Sequence, residues 1–262
     1  AEVPPIYVRR NPLFLSEAEF LTRVPAEKIT AVPGAYMLQR GGHLPDDGEQ
    51  NGDALFHVQD LASQLCCLAL DPQPGETILD VCAAPGGKTF TIAELMGDEG
   101  HVYAYDLHET RVRLIAEGAK RLGLRCISAQ TGDARKAEKP RADRILCDVP
   151  CSGYGVMRRK PELRYKTAEE IAGLPEIQYA ILEASAAALK PGGVLVYSTC
   201  TLNKKENEAV VTRFLAAHPA FQTERPWQGY PMLEPFAGEM TTLFPAMLGS
   251  DGFFLCKMRR SG

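Results

Sequence analysis

The stretch T-I-L-D-V-C-A-A-P-G-G-K-T, residues 77–89, decides the fold of this chain of 262 residues. Its apolar start, Thr77–Val81, predicts a short strand, and two glycines then lead into a helix near Lys88–Met96. This order presents backbone N–H groups and the positive end of a helix dipole to a ligand. Gly86 and Gly87 have no Cβ, so a ligand can approach the backbone closely. The stretch therefore predicts a cofactor site at the end of a strand.

Downstream of this stretch, strand-like and helix-like segments alternate, which is typical of a parallel sheet covered by helices. The further predicted strands are Gly100–Asp106, Arg125–Ala129, Arg144–Asp148, Val194–Ser198 and Gly252–Met258. The further predicted helices are Glu109–Leu122, Ile177–Leu189 and Asn207–Ala217. We expect an α/β fold with a doubly wound, mostly parallel sheet, in which the first, fourth and fifth strands are neighbours.

The N-terminal part of the chain has a different composition. Residues 1–55 are richer in Pro and Gly and contain short strand candidates such as Tyr36–Gln39, whereas Val58–Leu70 has the pattern of an amphipathic helix. The sequence therefore predicts a small α+β accessory module over residues 1–55 and a cofactor-binding domain over residues 56–262.

Composition narrows the class of protein. The chain is 45% hydrophobic and 24% charged, with a net charge of −4, as in an ordinary globular protein. It has no apolar run of about 18 residues and no hydrophobic signal core, so neither a membrane span nor export is expected. Its eight cysteines form no C-x-x-C pair and accompany no histidine cluster, which predicts no metal site. We expect a monomer in the reducing environment of the cytoplasm.

The glycine loop has one alternative interpretation, a P-loop for nucleoside triphosphates. A P-loop places a further glycine ahead of its Gly-Lys pair, and that position is Cys82, so the spacing fails. Asp106, about twenty residues past the glycines, suits a ribose diol. Asp133, at the end of the third strand, is placed to reach an adenine amino group. Together these residues favour a cofactor that contains adenosine.

Two cysteines follow the ends of predicted neighbouring strands. Cys151 lies in D-V-P-C-S-G after the fourth strand, and Cys200 lies in Y-S-T-C-T after the fifth. In doubly wound sheets, ligands bind beyond the carboxyl ends of the strands. Both thiols and Asp148 should therefore face the reactive end of the cofactor, in a polar setting that suits a thiolate.

A basic segment directly follows the Cys151 motif. Arg158–Lys166, R-R-K-P-E-L-R-Y-K, holds five basic residues and one acidic residue. Such a segment is either a solvated charged face or a binding site for a polyanion. Its position beside the cysteine motif favours the second interpretation.

Taken together, D-V-C-A-A-P-G-G-K-T, D-V-P-C-S-G and Y-S-T-C-T resemble the motifs of the RNA (cytosine-5)-methyltransferases of the Fmu/Sun/NOP2 group. The resemblance runs from about Val58 to the C-terminus. The stretches G-V-M-R-R-K-P-E-L-R-Y and L-G-S-D-G-F-F-L are most similar to the RsmB branch, the bacterial methyltransferases of 16S rRNA. Proteins of that branch usually begin with a helical NusB-like domain, which is not seen in this sequence.

The resemblance implies a Rossmann-like class I methyltransferase fold with S-adenosyl-L-methionine as cofactor. It implies that the cofactor is lined by Cys82, Ala83, Ala84, Pro85, Gly86, Gly87 and Lys88, with Asp106 on the ribose, Asp133 near the adenine and Asp148 between the amino-acid end and the target base. It makes Cys200 the nucleophile, Cys151 the residue that helps to resolve the adduct, and Asp148 the catalytic carboxyl. The expected RNA-binding residues are Arg158, Arg159, Lys160 and Arg164, assisted by the module at residues 1–55.

The implied activity is methylation of carbon 5 of a cytosine in RNA, with small-subunit rRNA as the expected substrate. The same chemistry on tRNA is an alternative, as is a non-catalytic ribosome-binding scaffold. A DNA cytosine-5 methyltransferase would use the cysteine of the P-C motif and would not need Cys200. A small-molecule methyltransferase would need neither thiol. The presence of both thiols and of the basic segment favours RNA methylation.

Overall fold

The computed structural model of the protein describes residues 4–39, 55–136 and 138–262. The strands in these ranges are β1 Tyr7–Arg10, β2 Ala26–Lys28, β3 Ala35–Leu38, β4 Phe56–Val58, β5 Thr77–Asp80, β6 His101–Asp106, β7 Ile127–Thr131, β8 Ala142–Asp148, β9 Leu189–Thr199, β10 Phe221–Glu224, β11 Thr241–Leu243 and β12 Phe253–Arg260. The α-helices are α1 Glu17–Arg23, α2 Leu61–Leu70, α3 Gly87–Leu95, α4 Glu109–Arg121, α5 Ala168–Ala172, α6 Leu174–Ala188, α7 Glu208–Ala217 and α8 Pro245–Leu248. No helix in the described ranges is long and apolar enough to cross a bilayer.

The large sheet has the strand order β10-β12-β9-β8-β5-β6-β7, and β11 also pairs with β12. Strands β5 to β9 run parallel, and β12 lies antiparallel between β9 and β10. From β5, the chain builds β6 and β7 on one side and then β8 and β9 on the other. The predicted α/β fold with a doubly wound, mostly parallel sheet is confirmed, and β5, β8 and β9 are neighbours.

Helices cover both faces of this sheet because the side chains of its strands alternate between two apolar clusters. Ile78 of β5 and Val196 of β9 are buried in the cluster that contains α2 and α3. Leu79 and Leu195, one residue along in β5 and one residue back in β9, are buried in the cluster that contains α6 and α7. The strands are apolar on both faces, as expected for a buried parallel sheet.

Several predicted element boundaries were wrong, and specific contacts explain two of them. The helix predicted over Val58–Leu70 begins at Leu61, because Asp60 caps it by accepting a hydrogen bond from the Ala62 N–H at 2.9 Å. The residues before the cap form β4, which pairs with β1. The fifth core strand begins at Leu189 rather than at Val194, since Leu189 already pairs with Ala142 of β8 ahead of a bulge.

A small antiparallel sheet precedes the core, with the order β2-β3-β1-β4. Its own apolar cluster includes Phe20, Tyr36 and Phe56. Tyr7 of β1 instead joins the cluster around α2 and α3. Strand β4, Phe56–Val58, belongs to this sheet, so the sheet continues past the predicted boundary at residue 55.

A buried group of charged and polar side chains joins the small sheet to α3. Arg9 of β1 donates to Glu94 of α3 at 2.8 Å, and both side chains are almost completely buried. The Nδ1 atom of His57 in β4 lies 3.4 Å from the other carboxylate oxygen of Glu94. Arg9 also donates to the carbonyl of Pro33. These contacts hold the helix that follows the glycine loop against the small sheet.

We predict that Glu94→Gln lowers the free energy of unfolding by about 3–5 kcal/mol, because it leaves the charge of Arg9 buried without its partner. Urea unfolding followed by circular dichroism measures the change. Glu17→Gln is the matched control, since the Lys28–Glu17 ion pair is exposed and should contribute little. Equal midpoints for the two variants would contradict the prediction.

Candidate active site

The glycine loop connects β5 to α3. Gly86 is the N-cap of α3 and has a φ of +116°, and a Cβ at this position would lie 2.4 Å from the ring of Phe90. Both facts require glycine. Among the described residues, no side chain caps this helix. The first N–H groups of α3 therefore have no side-chain acceptor and are available to a ligand.

Two adjoining cavities lie at the carboxyl ends of the core strands. The larger has a volume of about 430 Å³ and brings together seven of the twelve predicted catalytic and cofactor-binding residues, namely Cys82, Ala84, Asp106, Asp133, Asp148, Cys151 and Cys200. The smaller, of about 80 Å³, is lined by Gln59, Ser63, Asp80, Cys82, Ala83, Ala84, Gly87, Lys88 and Asp148. Pro85 and Gly86 line neither of these two cavities and serve to shape the loop.

Each of the two acidic residues assigned to the nucleoside has a cationic neighbour that the sequence did not indicate. Asp106 accepts hydrogen bonds from the N–H groups of Ala84 and His108, and Arg111 lies 3.1 Å away. Asp133 pairs with Arg135 at 2.7 Å, and the hydrogen bond from Arg135 lowers the pKa of Asp133 to about 2. Both acids therefore present fixed carboxylates to the larger cavity.

Asp148 lies where the two cavities meet and is held from two sides. The Nζ atom of Lys88 is 2.8 Å from Oδ2, and the Ser198 hydroxyl donates to Oδ1 at 2.7 Å. Burial opposes the charged form of Lys88, but the charge and hydrogen bond of Asp148, together with the nearby Cys66 and Cys67, raise the pKa of Lys88. The sequence motifs assign Lys88 to the cofactor alone and do not indicate this ion pair.

Asp80 is a further buried acid beside the smaller cavity. It is 1% exposed, and Thr89 donates to its Oδ2 at 2.7 Å. Burial raises the pKa of Asp80 to about 7, and the charge of Asp148 adds to the rise. Within the described part of the chain, its Oδ1 has no hydrogen-bond partner. In the sequence, only the position of Asp80 within the stretch 77–89 indicated that it could belong to the site.

The two predicted catalytic thiols are neighbours, because the Sγ atoms of Cys151 and Cys200 lie 3.3 Å apart and both cysteines are free. Hydrogen bonds between the loops that carry them fix this distance. The hydroxyls of Ser152 and Thr201 are 2.7 Å apart, and the N–H of Gly155 donates to the carbonyl of Cys200 at 2.9 Å. This distance fits a hydrogen bond between the two sulfur atoms, in which one thiol donates and the other sulfur accepts.

Buried Glu206 fixes the Cys151 loop through hydrogen bonds, a role that the sequence did not reveal. Its Oε2 accepts from the N–H of Ser152 at 2.8 Å and from the Gln178 amide at 3.0 Å. Asn203 donates to its Oε1 at 2.8 Å. Glu206 is fully buried, and these bonds satisfy its carboxylate.

The two thiols differ in acidity. The hydrogen bond from Cys151 lowers the pKa of Cys200, whereas the same bond, together with burial, raises the pKa of Cys151. Burial also raises the pKa of Cys66, Cys147 and Cys256, each to about 12. Cys200 is therefore the thiol best suited to exist as a thiolate.

Two arginines of the basic segment are paired with acidic residues, and one of them, Arg158, is also exposed. Arg158 and Arg159 both contact Asp251, at 2.9 and 3.0 Å, and Arg159 also contacts Asp60 at 3.2 Å. These two arginines hold the segment against the core. The remaining two predicted RNA-binding residues, Lys160 and Arg164, are exposed.

Comparison with known proteins identifies the family. The family model for the 16S rRNA methyltransferase RsmB/F matches residues 67–259. The chain belongs to this family. It is 43% identical to a probable ribosomal RNA small subunit methyltransferase B of Bacillus subtilis and 37% identical to a ribosomal RNA small subunit methyltransferase B of Yersinia pseudotuberculosis. These alignments cover 99% and 97% of this chain but 61% and 59% of the relatives, so the chain spans about three fifths of their length.

Solved structures show the same fold. A crystal structure of the protein PH0851 superposes with a TM-score of 0.89 at 31% identity, covering 99% of this chain and 60% of that one. A methyltransferase homologue from Pyrococcus horikoshii superposes with a TM-score of 0.81 at 29% identity, covering 99% and 87%. The Rossmann-like methyltransferase fold implied by the sequence motifs is therefore confirmed.

We predict that iodoacetamide alkylates Cys200 first, and that Cys151→Ala shifts this reaction to higher pH. The lowered pKa of Cys200 makes its thiolate appear early as pH rises, and the substitution removes the hydrogen bond that lowers it. Peptide mass spectrometry over a pH series measures the rate. Cys147→Ala is the control because that thiol is fully buried. An unchanged pH profile in Cys151→Ala would contradict the assignment.

Proposed function

We propose that this protein methylates carbon 5 of a cytosine in small-subunit rRNA, using S-adenosylmethionine and a covalent bond between Cys200 and the base. The observation that carries the proposal is the pair of thiols 3.3 Å apart at the cavity that Asp106, Asp133 and Asp148 also line. Membership of the RsmB/F family and the similarity to small-subunit rRNA methyltransferases support the choice of substrate.

The residues present fit the cofactor. The carboxylates of Asp106 and Asp133 suit a ribose and an adenine amino group, and the unpartnered Oδ1 of Asp80 suits an ammonium group in the smaller cavity. The loop from Cys82 to Lys88 joins the two cavities. S-adenosylmethionine supplies an activated methyl group when bound. The protein's own side chains must make the cytosine reactive toward it.

Cys200 makes the base nucleophilic by covalent catalysis. Its thiolate adds to carbon 6 of cytosine, and the electrons of the carbon 5–carbon 6 double bond become available at carbon 5. Carbon 5 then takes the methyl group. Asp148 lines the same cavity as Cys200 and is held by Lys88 and Ser198. It is the proposed partner of ring nitrogen 3, to which its protonated form would donate as Cys200 adds to carbon 6.

Cys151 is proposed to act when the adduct breaks down. After methyl transfer a base must remove the proton from carbon 5, so that the double bond re-forms and the Cys200 thiolate leaves. In the adduct the sulfur of Cys200 is uncharged, so the largest cause of the raised pKa of Cys151, its hydrogen bond to Cys200, is lost, while burial remains. The thiol of Cys151 is then easier to deprotonate, and its thiolate can accept the proton from carbon 5 of the methylated cytosine.

RNA contact is proposed to fall on the exposed part of the basic segment. Lys160 and Arg164 are both exposed, and Tyr165, the next residue along the chain, is 79% exposed. Exposed aromatic rings stack on unpaired bases, and basic side chains bind the adjoining phosphates. The target base must be unpaired or flipped out to reach a thiol in a cavity.

We predict that Cys200→Ser abolishes methylation and forms no covalent complex with RNA, because no thiolate is available for carbon 6. Cys151→Ser should still form the adduct but release it slowly. A denaturing gel of each variant with 16S rRNA and S-adenosylmethionine shows the difference. Trapping in the Cys200 variant and none in the Cys151 variant would make Cys151 the nucleophile instead.

We predict that Lys160→Ala combined with Arg164→Ala weakens RNA binding. The slope of the logarithm of the binding constant against the logarithm of the salt concentration should fall by about one for each phosphate that is no longer neutralised. Filter binding of 16S rRNA over a salt series measures both. The control combines Arg113→Ala with Lys120→Ala on the exposed face of α4, which removes the same charge elsewhere. It should change the RNA affinity and its salt dependence less than the first pair does. Equal effects of the two pairs would show that overall charge, rather than this segment, governs binding.

A further inference from the structure

Gln59 carries a buried hydrogen-bond donor with no assigned role. The residue is 6% exposed, and among the described residues its Nε2 atom has no hydrogen-bond partner. A buried amide left without a partner costs free energy, so such an atom indicates a ligand that completes it. Gln59 lines the smaller of the two cavities.

The surrounding residues fix the orientation of this amide. The Thr91 hydroxyl donates to Oε1 of Gln59 at 2.6 Å, so Nε2 is directed away from Thr91. The backbone is held as well, since the N–H of Gln59 donates to the carbonyl of Tyr7 and its carbonyl accepts from Gln64. The small sheet and α2 thus hold the backbone of Gln59, and Thr91 of α3 holds its side-chain amide.

The Nε2 atom lies close to the N-terminus of α3. A Cβ added to Gly87, the first residue of that helix, would lie 3.7 Å from Nε2. The helix is uncapped by any described side chain, so its N–H groups and its dipole favour an anion here. Two independent features, an unpartnered amide and a helix N-terminus, therefore favour a carboxylate at one point of the cavity.

We propose that Gln59 is a cofactor-binding residue that recognises the α-carboxylate of the amino-acid end of the cofactor. This inference rests on the proposed function and adds to it a residue outside the glycine loop. The smaller cavity then has complementary sides for an amino acid, with the donor of Gln59 for the carboxylate and the free Oδ1 of Asp80 for the ammonium group.

Gln59→Glu tests the donor directly, because it keeps the oxygen that accepts from Thr91 and replaces Nε2 with a second oxygen. Calorimetry on the purified chain should use S-adenosylhomocysteine and its decarboxylated analogue, which lacks only the carboxylate. We expect the variant to bind S-adenosylhomocysteine about tenfold or more weakly, as for loss of a charge-assisted hydrogen bond. Its affinity for the decarboxylated analogue should stay within about twofold of the wild type.

Gln73→Glu is the matched control, since it makes the same change at an exposed position and should alter neither affinity. Gln59→Met, which removes the donor without adding charge, should weaken S-adenosylhomocysteine alone and keeps the test valid if the glutamate variant unfolds. An equal loss for both ligands, or no loss for either, would overturn the inference. Failure of the wild-type chain to bind either ligand would instead overturn the proposed function, before any substitution is made.

Discussion

The hydrogen bonds between the two cysteine loops are the constraint on which the site depends. Strands β8 and β9 end side by side, but strand pairing alone does not bring two thiols into contact. The Ser152–Thr201 hydroxyl contact and the bond from Gly155 to the carbonyl of Cys200 do so. Buried Glu206 then holds the first loop. The resulting contact separates the acidities of the thiols, and so suits them to different chemistry.

A second constraint connects the small N-terminal sheet to the glycine loop. The buried pair of Arg9 and Glu94 fixes α3, and the bond from Gln59 to Tyr7 places an amide beside the first residue of that helix. The small sheet is therefore part of the framework of the candidate cofactor site, in addition to any contact that it makes with RNA.

The sequence predicted the parts of this molecule that depend on local pattern. Apolar strands, the Gly86–Gly87 loop and the two cysteine motifs led to the right neighbours in the sheet and to one shared cavity. The pairing of Arg158 and Arg159 with Asp251, the Lys88–Asp148 ion pair and the position of Gln59 could not be predicted. These contacts join residues far apart in the chain, and a single sequence does not show which distant side chains meet. The helix start at Leu61 was missed although Asp60, which caps the helix, is a signal that a single sequence carries.

The most direct test of the covalent mechanism uses 16S rRNA transcribed with 5-fluorocytidine. Fluorine at carbon 5 cannot leave as a cation, so the adduct formed after methyl transfer cannot resolve and should persist with the wild-type protein. Digestion of the complex and mass spectrometry identify the peptide that carries the nucleotide. The proposed mechanism predicts that the linked residue is Cys200. A nucleotide linked to Cys151, or no linked peptide under conditions in which ordinary 16S rRNA is methylated, would contradict it.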